Sequence, residues 1–228
     1  MNDLDFPQDF LDSLTSARGR LHVIDKLDPG KTALLVVDMQ NFFVEQGQAL
    51  EVPAARKLAP NINRLAQAMR DSGGTVIWIQ MTLNDADLDK WSVFLPANGS
   101  RARFQPVADG EYGHQIWKKM AVKPGDLIVQ KRRFSAFIQG SSDLQKILSE
   151  RGIDTLLITG TLTNVCCEST ARDAMMLNYR VLMVADANAT ITEEAHRAAL
   201  MNILFVFGDV QTTKDVIKLF KKRNNVIN

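Results

Sequence analysis

The chain has only two cysteines in 228 residues, and they are neighbours, Cys166 and Cys167. That argues against a disulfide scaffold, and adjacent half-cystines bridge one another poorly. Neither sign of charge is in excess. Lys and Arg number 27 against 26 Asp and Glu, a net charge of +1, which gives no electrostatic footprint for nucleic acid or an anionic membrane. No apolar run approaches the ~18 residues of a membrane span. The opening MNDLDFPQDFLDSL is acidic and lacks the apolar core of a secretory signal, so the expected location is the cytoplasm. No repeat, low-complexity tract or flexible linker is present. No glycine-rich phosphate loop follows any predicted strand, which disfavours a nucleotide-binding module. What remains is an ordinary globular composition, 46% hydrophobic. It is read as a single domain over residues 1–228, with an N-terminal extension over residues 1–30.

Short runs rich in Val, Ile and Leu at residues 32–37, 75–80, 127–130, 155–159 and 180–185 predict strands, and residues 203–207 predict a sixth. They run without alternation, the pattern of strands buried on both faces. Helical periodicity lies between and after them, at residues 54–71, 142–150, 166–178, 192–202 and 212–222. The alternation predicts an α/β fold, a doubly wound, mostly parallel six-stranded sheet between helices. Residues 83–123 break the alternation and carry Trp91 and Trp117, so they read as an insertion, either a lid or a surface that packs on another subunit.

In such a sheet ligands bind beyond the carboxyl ends of the strands. Three reactive residue types fall there: Asp38, Lys131 and Cys166. Cys166 is expected at a helix N-terminus, where the dipole and free amides would depress the thiol pKa. Lys131 would add a positive charge, and Asp38 would shuttle the proton. On these residues alone, a thiol nucleophile and an inert buried cysteine both remain open.

The segment GTLTNVCCESTARDAMMLNYRVLMVADANAT, residues 160–190, resembles the signature of the isochorismatase-like cysteine hydrolases. ALLVVDMQNFF, residues 33–43, and KRRFSAF, residues 131–137, resemble the family's aspartate and lysine blocks in the same order. The resemblance implies a three-layer α/β/α hydrolase with an Asp38, Lys131, Cys166 triad that cleaves C–N bonds through an acyl-enzyme. It implies an oxyanion hole from the backbone N–H groups of Leu162 and Cys166, with the Thr161–Leu162 bond as the candidate cis peptide. It places the nucleophile on Cys166 and leaves Cys167 as a core side chain. It further implies a homodimer or homotetramer.

Nicotinamidases of that family carry a metal-binding histidine pair after the second strand. The corresponding WIQMTLNDADLDKW has no histidine, so no metal and no cofactor is expected. Asp85, Asp87 and Asp89 read as a solvated acidic loop. Phrase-level likeness points to ureidoacrylate amidohydrolases and N-carbamoylsarcosine amidases, and so to small amide, ureido or carbamoyl substrates. Asn41, Gln80 and Arg133 are candidate substrate-binding residues, with Arg101, Arg103 and Arg172 as further cations for a substrate carboxylate. Phe43, Trp78, Trp91 and Trp117 are candidate pocket walls. Ordinary loop, solvent and core roles stand beside each of these. His114 is a residue that could reach the site, and His196 reads as a helix-surface residue. Nicotinamidase or isochorismatase chemistry on the same fold, or a non-catalytic binding or scaffold protein, are the alternatives.

Overall fold

The computed structural model describes residues 6–221. The strands are β1 (Thr32–Val37), β2 (Thr75–Met81), β3 (Leu127–Lys131), β4 (Thr155–Thr161), β5 (Arg180–Ala189) and β6 (Asp209–Gln211). The helices are α1 (Gln8–Arg18), α2 (Asn41–Val44), α3 (Ala59–Asp71), α4 (Asp85–Asp89), α5 (Phe94–Asn98), α6 (Arg101–Phe104), α7 (Leu144–Glu150), α8 (Glu168–Met176), α9 (Glu193–Asn202) and α10 (Thr213–Lys221). All strand pairs are parallel, in the order β3-β2-β1-β4-β5-β6. The winding direction reverses between β1 and β4, which sets a topological switch point at their carboxyl ends.

Successive strand residues supply opposite faces of the sheet. Leu34 and Val36 join Ile62, Leu65 and Met69 of α3 and Val216 and Leu219 of α10 in one core. Ala33, Leu35 and Val37 join Leu144 and Leu148 of α7 and Ala171 and Ala174 of α8 in the other. The N-terminal extension reaches this second core through Phe6, Leu11 and Leu14. The insertion forms the short helices α4, α5 and α6, whose Leu88, Phe94 and Phe104 pack into the first core. Among the described residues no helix is long and apolar enough to cross a membrane.

The sixth strand is not at residues 203–207. That run is a π-helical turn, Ile203–Phe207, closed by the Gly208 amide on the Ile203 carbonyl at 2.9 Å, and β6 follows it. Its β-branched and aromatic composition mimics a strand, but Ile203 and Leu204 are buried while Phe205 and Val206 face outward. Two other boundaries move. Residues 53–58 are a 3₁₀ turn, Pro53–Leu58, ahead of α3, and residues 163–167 are a π-helical turn, Thr163–Cys167, ahead of α8.

Candidate active site

The switch point is built by a close approach of β1 and β4. Val37 and Gly160 are register partners, and Gly160 has φ +115°. A Cβ there would sit 2.0 Å from the Val37 carbonyl oxygen, so only glycine lets the end of β4 draw alongside β1. The next residue of the first chain segment is Asp38, in the left-handed region at φ +52°, a conformation carboxylate residues tolerate better than most. Its side chain is completely buried.

Lys131 ends β3, two strands away from β1, a gap of about 10 Å at the usual interstrand spacing. Only a long side chain can bridge it. Lys131, itself fully buried, extends past β2, its Nζ lying 3.3 Å from Met81 Sδ, 3.2 Å from the Arg133 carbonyl, 2.9 Å from Asp38 Oδ2 and 3.3 Å from Cys166 Sγ. The three candidate residues therefore meet at one edge of the sheet around a single ammonium group.

Cys166 lies in the π-helical turn that follows β4, and the Thr161–Leu162 peptide bond is cis. The Leu162 carbonyl accepts the amides of Val165 and Cys167, each at 3.1 Å, and passes over that of Cys166. Cys166 is 3% exposed, and Cys167, as expected, lies wholly in the core.

The electrostatics differ from expectation at the sulfur. Burial, reinforced by the charge of Asp38, pushes the Cys166 thiol well up and outweighs the ammonium of Lys131. Burial likewise raises the Asp38 carboxyl above its usual range against the pull of Lys131. At Lys131 burial acts downward, but the charges and hydrogen bonds of Asp38 and Cys166 together win, and its pKa is raised. The sulfur is held as a neutral thiol beside Asp38 and Lys131. Lys131 Nζ lies 2.9 Å from Asp38 Oδ2, and the Cys166 thiol and the Met81 backbone also draw on this carboxylate. The raised pKa of Asp38 narrows the gap to the thiol it would deprotonate.

The candidate substrate-binding residues are placed nearby but already engaged. Asn41 Nδ2 donates to the Tyr112 carbonyl at 2.9 Å and Gln80 Nε2 to the His114 carbonyl at 2.8 Å. Gln40, which sequence reasoning missed, adds a third tether from its Nε2 to the same His114 carbonyl at 2.9 Å. These amides hold the insertion on the rim. Arg133 stacks on Trp91 with its guanidinium carbon 4.8 Å from the ring centroid, and Trp91 packs against Phe94 and Phe134. Arg101 pairs with Asp85 and Asp89, and Arg172 pairs with Glu168. Trp78 and Trp117 donate to Asp126 and Glu45 from core positions. His114 Nε2 contacts Thr82 Oγ1 at 2.8 Å. His196 is not a plain surface residue, because its Nδ1 lies 2.8 Å from Thr163 Oγ1 inside the turn that carries Cys166. Periodicity carried no signal for that contact. Among the described residues no group of three or more His, Cys, Asp or Glu side chains is placed to hold a metal. Two surface clefts, of about 520 and 360 Å³, are lined by residues such as Gln130 and Ser142 or Arg18 and Tyr179, and by none of the three central residues.

A doubly wound parallel sheet with cysteine, lysine and aspartate converging at its switch point defines an α/β protein with a thiol-centred site. Its family is isochorismatase: residues 32–215 match the isochorismatase domain model, and the chain belongs to that family. It is similar to ureidoacrylate amidohydrolase RutB of Pseudomonas syringae pv. syringae (strain B728a), 35% identical over 212 residues and covering 86% of each chain. Among solved structures it resembles a cysteine hydrolase from Pseudomonas syringae pv. phaseolicola 1448A, with TM-score 0.78, 31% identity and coverage of 86% of this chain and 95% of that one. It also resembles N-carbamoylsarcosine amidase from Thermoplasma acidophilum, with TM-score 0.65, 25% identity and coverage of 80% and 96%.

Proposed function

We propose that this protein is a cysteine-dependent amidohydrolase that cleaves the C–N bond of a small amide, ureido or carbamoyl substrate through a covalent acyl-enzyme. The observation that carries the reading is the Lys131 ammonium, 2.9 Å from Asp38 Oδ2 and 3.3 Å from Cys166 Sγ, in a site where all three side chains are shielded from water. An inert core cysteine has no use for a buried ion pair, which is costly to desolvate. The names of the relatives, an ureidoacrylate amidohydrolase and an N-carbamoylsarcosine amidase, favour the same chemistry.

In this reading Asp38 takes the thiol proton as Cys166 Sγ bonds to the substrate carbonyl carbon. The oxyanion is held by the amides of Leu162 and Cys166. The C–N bond breaks as Asp38 returns that proton to the leaving nitrogen. Water then attacks the thioester, Asp38 takes and relays a proton to sulfur, the C–S bond breaks, and the acid departs. Lys131 keeps the carboxylate and sulfur in register and balances their charge. Arg133, whose carbonyl touches Lys131 Nζ, is the candidate for a substrate carboxylate, while Asn41 and Gln80 shape the wall beside it. Ammonia release measured over ureido acids, carbamoyl amino acids and simple amides tests the proposal. Turnover of at least one class that disappears in Cys166→Ala supports it, whereas turnover that survives the substitution contradicts it.

A further inference from the structure

The turn that carries Cys166 is not a regular helix. Its Leu162 carbonyl receives amides from three and from five residues ahead, so its shape needs support from outside. That support comes from the end of β5, the residue that follows it and the start of α9. Thr161 Oγ1 donates to the Ala189 carbonyl at 3.1 Å, and Thr190 Oγ1 donates to Asn164 Oδ1 at 2.6 Å. Thr163, completely buried, has its hydroxyl 2.8 Å from Nδ1 of His196, in the first turn of α9. The first tether grips the residue that ends β4, and the second grips Asn164 within the turn. The third grips Thr163 itself, next to Leu162 and three residues before the sulfur.

Resting on the amidohydrolase reading above, we infer that His196 is a positioning residue: through the Thr163 hydroxyl it fixes the turn that presents the Cys166 thiol and the Leu162 and Cys166 amides to the substrate carbonyl. His196 touches none of the reacting groups. Its effect is geometric, and a displacement of about 1 Å at a reacting centre can lower a rate by ~10²-fold. Because the amides it helps to place act mainly on the developing oxyanion, the loss falls on kcat more than on KM.

The test compares His196→Leu, which cannot hydrogen-bond, with His196→Asn, which keeps a polar atom near the Nδ1 position, and with Thr163→Val, which replaces only the hydroxyl. Each is assayed on the amide or ureido acid that the wild-type protein hydrolyses fastest. Alkylation of Cys166 by iodoacetamide, followed by peptide mass spectrometry, gives a second readout that needs no substrate. His196→Leu and Thr163→Val should each lower kcat by ~10- to 100-fold with KM within ~3-fold. His196→Asn should recover most of the loss, and the double variant should be no worse than the poorer single one, since both changes remove the same bond. Cys166 alkylation should slow in parallel. If His196→Leu does not fold, Thr163→Val carries the comparison. Wild-type kcat and alkylation rate in folded His196→Leu and Thr163→Val would overturn the inference. If instead Cys166→Ala keeps full activity, the amidohydrolase reading fails, and the alkylation arm still reports on His196.

Discussion

Lys131→Met separates the structural from the chemical role of the buried cation. Methionine keeps most of the length and volume of the lysine stem but leaves Asp38, completely buried, without the ion partner 2.9 Å away. Removing one partner of a buried pair costs ~3–5 kcal/mol. For a chain of this size that lowers Tm by ~6–20 °C. The sign of the pH dependence follows from Asp38. Its carboxyl is already raised by burial against the pull of Lys131, and losing the lysine raises it further. A raised carboxyl favours the folded state at low pH and opposes it as pH rises through the folded pKa. The deficit of Lys131→Met should therefore be small near pH ~4, around the unfolded carboxylate value, and grow toward neutral pH. Turnover should fall by ~10³-fold or more, because a protonated Asp38 cannot accept the thiol proton. The double variant Asp38→Asn/Lys131→Met has no unpaired charge, so it should regain most of the stability while staying inactive. Thermal unfolding by circular dichroism across pH, alongside ammonia release, measures all of this. A single variant that melts like the wild type at neutral pH, or a double variant that melts lower still, would refute the reasoning.

Four further outcomes follow from the same contacts. Gly160→Ala forces a Cβ to 2.0 Å from the Val37 carbonyl at φ +115°, and should cost on the order of 4 kcal/mol with loss of activity, read by chemical denaturation and turnover. Cys166→Ala should abolish turnover while Cys167→Ala, at a core position behind the turn, retains most of it; equal loss in kinetic assays of both would contradict the assignment. The acidic limb of kcat/KM against pH should have its midpoint above the usual carboxylate range, since the active form needs ionised Asp38 and burial raises that group. Far from the site, His22 Nδ1 lies 2.8 Å from Asp209, and this hydrogen bond, against burial, raises the imidazole pKa. Its stabilisation is complete below the unfolded value of about 6.5 and is lost as pH rises through the raised folded value. The melting difference between wild type and His22→Ala should shrink from pH ~6 to ~9; a difference that widens over that range would reverse the assignment.

Much of the fold was legible because strands buried on both faces write themselves as unbroken Val, Ile and Leu runs, as at residues 32–37 and 155–159. β6 was not, because its Asp209 and Gln211 answer the polar N-terminal segment while the apolar run ahead of it coils into a π-helical turn. The meeting of Asp38, Lys131 and Cys166 could be anticipated from residue type and strand-end position, since topology alone puts those ends on one rim. The thiol's pKa could not, because position relative to a helix is visible in sequence and the depth of burial is not. The engagement of Asn41 and Gln80 with the insertion, and of His196 with Thr163, depends on side-chain contacts across 33 to 71 residues that no local pattern encodes.

The most direct measurement is a covalent one: quench the protein in acid during turnover of a hydrolysable ureido acid or amide, and locate any acyl adduct by peptide mass spectrometry. The account predicts an acyl group on Cys166 that persists in Cys167→Ala and is absent from Cys166→Ala. Turnover with the adduct on another residue, or undiminished turnover in Cys166→Ala, would contradict it.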